Sequence, residues 1–198
     1  MNSTLLSLLG FSVAMYITPG TNNVMVAASA ANNGIRATVP HMFGIATGFS
    51  IMLTLVCAGL GSALVSWPLL LPLFRWVGAA WLALLAWKIA VAPPPGEGGR
   101  RRVLGFLGAA AFQWINPKAW LIAAAAAGEY LSPNQPLLAQ LARIFVVFLA
   151  VGMPCLLVWA LLGSGAGRLL HSPVRLRAFN IAMALLLVAS LVPVSIEG

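Results

Sequence analysis

The sequence has no aspartate and only three glutamates, Glu97, Glu129 and Glu197. That shortage excludes much chemistry. Metal-dependent lipid transferases gather acids around their cation. Intramembrane proteases use buried Asp pairs, a Ser-His couple or HExxH, and neither His41 nor His171 stands in such a motif. The chain is therefore not expected to be an enzyme, and no metal site or cofactor is expected. Its two cysteines, Cys57 and Cys155, fall in apolar stretches. There each acts as a small hydrophobe and implies no disulfide framework.

Charge of either sign is scarce. Only 7% of the 198 residues are charged and 61% are hydrophobic, with a mean hydropathy of +0.98. Too little polar surface exists to coat a soluble globule, which leaves an all-α integral membrane protein. A helix needs about 20 apolar residues to cross the hydrocarbon core. Six stretches reach that length, at about 4–30, 41–66, 69–91, 103–127, 138–162 and 174–194. A cleaved leader is not expected, because MNSTLL has no basic residue ahead of its apolar run.

The net charge of +8 falls mostly in short connections, so it reports orientation rather than nucleic-acid binding. Arg36, Lys88, Arg100, Arg101, Arg102, Arg168, Arg175 and Arg177 flank the first, third and fifth connections, whereas the second and fourth have only Arg75 and Arg143. Odd-numbered connections are then cytoplasmic and both termini lie outside.

The longest polar, breaker-rich stretch is APPPGEGGRRR, residues 92–102. It divides a single membrane domain, 1–198, into halves of three spans, about 1–91 and 103–198. The halves are faintly alike, since FSVAMYITPGTNNVMVAASA echoes GAAAFQWINPKAWLIAAAAA with Thr18-Pro19 on Asn116-Pro117. An odd number of spans per half turns the second copy over, giving the inverted repeat of secondary transporters.

The first and fourth spans are each interrupted near the midplane, by ITPGTNN and by INPK. A proline in a lipid-facing helix leaves a carbonyl unpaired where no water compensates. One reading is a simple kink repaired by neighbouring helices. The other is a wet cavity, because paired breaks at matching places in inverted halves mark a substrate site. On that reading Thr18, Pro19, Gly20, Thr21, Asn22 and Asn23 face Asn116, Pro117 and Lys118. The broken ends supply free carbonyls and N–H groups, and the asparagines add amides. A small polar solute could exchange its hydration for these groups.

Lys118 is the most costly residue, about 2.5–3.5 kcal/mol at the centre of a span. It either snorkels to an interface or faces the cavity and a substrate carboxylate, and the cavity is the expectation. No carboxylate is placed mid-membrane, so proton coupling falls to His41 or Lys118. His41 beside Pro40 reads first as an interfacial residue with a satisfied hydrogen bond, and second as a proton carrier. Gly44 and Gly48 have GxxxG spacing, which serves internal packing or a homodimer. Trp67, Trp76, Trp87 and Trp114 suit interfacial belts or packing.

The run ITPGTNNVMVAASAANNGIRATVPHMFGIATGFSIMLTLVCAGLG resembles the opening of the LysE/RhtB family of amino-acid exporters, whose hallmark is TPGPNN. Thr21 stands where that hallmark has its second proline, a departure expected to soften the bend. WVGAAWLALLAWKIA and FQWINPKAW are similar to the family's third span and fourth-span break. GFSIMLTLVCAG and LAWKIA are most similar to the cysteine and O-acetylserine exporters. The resemblance implies proton-driven export of small neutral amino acids or derivatives across the bacterial inner membrane, a multi-pass location, and partners limited to the amino acid and the bilayer. The lack of a buried acid speaks against a dibasic substrate, whose second ammonium needs a counter-charge. The alternatives are export of another amino acid, such as threonine, homoserine or a basic one, or a structural membrane subunit that transports nothing.

Overall fold

The computed structural model describes residues 3–61, 70–91, 104–169 and 172–189, and all regular structure among them is helical. Trp67, the 92–102 linker, His171, Glu97 and Glu197 lie outside the described residues.

Helices α1 (Ser3–Ile17) and α2 (Thr21–Asn33) form one rod bent by 55°. The cause is local: Pro19 has no N–H to continue the ladder, and Gly20 runs fully extended at φ −175°. Helix α2 then stops at Gly34, whose φ of +80° is open to few residues with a side chain and whose N–H caps the Ala30 carbonyl. The chain turns at once into α3 (Ile35–Leu55), which ends in a π turn, Val56–Leu60. The span expected from residue 41 thus begins at Ile35, passing through Pro40 at the cost of one early hydrogen bond.

After α4 (Leu70–Ala90) the second break follows. There α5 (Phe106–Phe112) tightens into a 3-10 turn, Gln113–Ile115, before α6 (Pro117–Tyr130) restarts. Asn116 is a favourable N-cap with proline at N1, and its Oδ1 accepts from the Lys118 N–H at 3.2 Å. Helices α7 (Leu137–Leu169) and α8 (Pro173–Ala189) complete the described chain.

Ile35–Leu60 and Leu137–Gly167 are long and apolar enough to cross a bilayer, and the bent α1–α2 pair is apolar enough to act as a third span. The other expected stretches contain shorter apolar helical segments, Ala79–Ala90, Phe106–Ile115 and Arg177–Leu186. Apolar side chains cover the outside too: Leu107, Leu138, Trp76 and Trp87 are 79%, 80%, 74% and 67% exposed. A surface of that kind suits lipid rather than water.

With no hydrophobic drive between helices in lipid, close packing must hold them. Small residues permit it. A Cβ on Gly163 would strike the Ala27 carbonyl oxygen, and one on Gly167 would lie 2.5 Å from that of Ala31, so α7 rests backbone to backbone on α2. Gly44 and Gly48 do the same on α5, meeting the Phe106 carbonyl and the Ala110 Cα. The GxxxG pair therefore serves internal packing. The main core joins α1, α2, α3, α6 and α7 around Phe49 and Phe148, 5.6 Å apart and edge to face.

Candidate functional site

The two breaks meet. Between them lies a hollow of about 30 Å³ lined by the break residues Gly20, Thr21, Asn22, Asn23, Asn116 and Lys118 together with Met15, Tyr16, Phe49, Ala119 and Ile122. Six of the nine break residues singled out from the sequence face it. Thr18, Pro19 and Pro117 shape the breaks without lining the hollow.

The end of α1 was expected to offer free carbonyls, and here the structure differs. Asn23 turns back and donates from Nδ2 to the carbonyls of Tyr16 and Thr18, both at 2.8 Å. The Thr18 carbonyl also accepts from Lys118 Nζ at 2.9 Å. The chain thus pairs these two carbonyls with its own side chains, as a carbonyl in hydrocarbon requires. Asn23, 3% exposed, is chiefly a cap.

The start of α2 is different. Gly20 supplies no side-chain cap, and the first backbone bond of the helix runs from Val24 N to Gly20 O at 3.0 Å. The amides ahead of it have no acceptor within the helix and carry its positive end. Thr21 takes N1, a position that also suits proline, so the family-like pattern is kept there with a hydroxyl added. That hydroxyl is buried without a hydrogen-bond partner. A Cβ on Gly20 would come within 3.0 Å of Lys118 Cδ and Nζ, so glycine at this point makes room for the lysine. Lys118 crosses from one break to the other instead of snorkelling.

One residue in this constellation was not singled out from the sequence. Gln113, fully buried, exchanges two bonds with Asn22: Asn22 Nδ2 donates to Gln113 Oε1 at 2.9 Å and Gln113 Nε2 donates to Asn22 Oδ1 at 3.2 Å. A third bond, from Gln113 Nε2 to the Ala109 carbonyl at 2.9 Å, fixes which way the amide faces. Asn22 keeps one N–H and one oxygen lone pair for the hollow. The available signal was helical spacing, since Gln113 lies one turn before Asn116 in an otherwise apolar run. Tyr16 and Phe49 form the apolar wall, their rings 5.7 Å apart at 82°. Gly152 stands so close that a Cβ there would lie 2.7 Å from the Tyr16 hydroxyl.

His41 does not line the hollow. It is 2% exposed, with the Leu104 backbone beside it, so it is a buried residue rather than an interfacial one. Trp114 packs edge to face on Trp120 at 6.3 Å, with Trp120 Nε1 bonded to the Trp114 carbonyl at 2.8 Å. It braces the second break rather than forming part of an outer belt.

Taken as chemistry, the lining combines an ammonium, amide side chains and the start of a helix with aromatic and aliphatic groups, and it holds no acid.

Comparison with known proteins gives the family. Residues 13–192 match the LysE type translocator family. The cysteine/O-acetylserine efflux proteins of Escherichia coli K12 and of Shigella sonnei Ss046 are each 33% identical over 190 residues, covering 95% of this chain and 96% of theirs. No solved structure matches the chain.

Proposed function

The chain belongs to the LysE-type translocator family, and from that premise we propose that it exports small neutral amino acids or their derivatives, cysteine and O-acetylserine first among them, across the bacterial inner membrane. The observation that carries this reading is the convergence of Lys118 and the uncapped start of α2 on one hollow. The substrate carboxylate sits against the amides of Thr21 and Asn22 with Lys118 beside it. Its ammonium takes the amide oxygens of Asn22 and Asn116, and its short side chain faces Tyr16 and Phe49. The names of the 33%-identical relatives support the choice of substrates.

The full architecture in this proposal has six spans in two inverted halves. Helix packing supports it: α3 packs on α5 as α7 packs on α1, α2 packs on α7 as α6 packs on α3, and α4 packs on α8. Exchanging the halves maps these contacts onto each other. The halves then rock about the hollow, admitting solute from inside and releasing it outside. The proton gradient drives the cycle, and His41 is the carrier, because it is a buried imidazole in a membrane span with no carboxylate placed mid-membrane to do that work.

The test is uptake of labelled cysteine, O-acetylserine, threonine and lysine into inverted membrane vesicles, with and without an imposed proton gradient. Gradient-driven accumulation of cysteine or O-acetylserine is the expected result. Accumulation of threonine or lysine alone overturns the substrate assignment, and accumulation of none of the four in vesicles containing folded protein overturns the export reading.

A further inference from the structure

Helix α2 is fastened at both ends by the same device. At its start, Asn22 and Gln113 exchange two amide bonds. Near its end, Asn32 Nδ2 donates to Asn180 Oδ1 at 3.0 Å and Asn180 Nδ2 donates to Asn32 Oδ1 at 3.3 Å. Each pair carries a third bond to a carbonyl one turn back, Gln113 Nε2 to Ala109 at 2.9 Å and Asn32 Nδ2 to Ala28 at 2.7 Å. Asn180, on α8, is 1% exposed. A reciprocal pair of amide bonds so deep in an apolar helix is a specific arrangement rather than a chance contact.

Between the two pairs lies a small apolar cluster separate from the main core. Val24 and Met25 of α2 meet Leu82 and Ala86 of α4, Phe112 of α5 and Ala184 of α8. Helices α4 and α8 pack on one another, and α8 on α2, whereas the main core binds α1, α2, α3, α6 and α7 together. The α4–α8 pair is thus a unit laid against α2. The hollow lies at the start of α2, and Asn32 is about 15 Å further along its axis. Beyond Asn32 comes the basic end: Arg36 follows it in the chain, Arg175 and Arg177 precede Asn180, and all three are exposed. Positive residues mark the cytoplasmic side.

From these placements we propose that the seam between α2 and the α4–α8 pair is the cytoplasmic gate of the exporter, with Asn32 and Asn180 as its latch. The inference rests on the export reading above. Everything described across the seam is a neutral amide or an apolar side chain, so parting it strips no ion pair and releases groups that water entering from the cytoplasm satisfies. Closing it remakes both bonds. The latch holds the seam together on the basic side, and substrate loading through it requires Asn180 to move away from α2.

The experiment places cysteines at both positions, Asn32→Cys with Asn180→Cys, in a Cys57→Ser, Cys155→Ser background, and joins them in inverted vesicles with a short bifunctional maleimide. Cross-linking is expected to cut gradient-driven O-acetylserine uptake by about tenfold or more relative to the same double variant before treatment, while the Cys57→Ser, Cys155→Ser background treated alike keeps its rate. A cross-linked protein that transports as fast as the untreated one, or a transporting double variant in which the link never forms, overturns the gate. A second readout is independent of transport. Asn180→Cys alone, exposed to a membrane-impermeant maleimide from the cytoplasmic face, is expected to react, and faster with O-acetylserine present. No reaction in folded protein overturns the gate. Reaction without uptake of any amino acid leaves the gate standing and overturns the export reading.

Discussion

Lys118 and Thr18 stand 100 positions apart in the chain, yet the ammonium of one donates to the carbonyl of the other at 2.9 Å. One bond therefore joins the two helix breaks, and the group that makes it is also the cation of the hollow. A carboxylate entering there competes with Thr18 for the same ammonium.

Replacing the charge while keeping a donor separates these two roles. Lys118→Gln is expected to leave the protein folded and to weaken amino-acid binding by about tenfold or more, the loss of a charge-assisted bond. Concentration dependence of uptake in inverted vesicles measures it. Unchanged apparent affinity would place the carboxylate elsewhere.

Gln113 touches Asn22 but does not line the hollow, so its effect is one of positioning. Gln113→Leu keeps the bulk and leaves Asn22 without its partner. Bonds between membrane helices are worth about 0.6 kcal/mol on average and up to about 1.7, so a small fall in thermal stability in detergent is expected. The larger effect should be a raised KM for cysteine with Vmax little altered.

Gly163→Val drives a side chain into the backbone of Ala27. Overpacking of this kind costs about 1–3 kcal/mol and should lower the melting temperature clearly. Gly165→Ala is the control two residues away, where a Cβ meets nothing within 4 Å. Equal behaviour of the two would mean that α2 and α7 are not in backbone contact.

If His41 carries the proton, His41→Gln should uncouple movement from the gradient without abolishing movement. Accumulation against a gradient is expected to fall to background, while exchange of labelled for unlabelled cysteine continues. Retained accumulation would remove His41 from the mechanism.

The breaks were legible in the sequence because proline and glycine act within their own turn: Pro19, Gly20 and Pro117 dictate where helices stop whatever surrounds them. Lys118 was legible through its cost in hydrocarbon. The partners were not legible. Nothing local tells that Asn23 folds back on Tyr16 and Thr18, that Gln113 meets Asn22, or that Asn32 meets Asn180, since these pairings depend on how distant helices are set side by side. The role of Gly44 and Gly48 was open for the same reason. Spacing shows that a helix face is smooth, and only the neighbour shows what lies on it.

Asn23 and Lys118 hold the carbonyls of Tyr16 and Thr18 whether or not a solute is present. A carrier must make its journey in both directions, and on one of them it travels with no cargo. A broken helix that relied on solute to quench its polar ends would be stranded whenever it was empty. Here the carbonyls of Tyr16 and Thr18 are quenched by residues of the chain itself, so on an unloaded return leg those two stay paired, and only the amides at the start of α2 are left for water to meet.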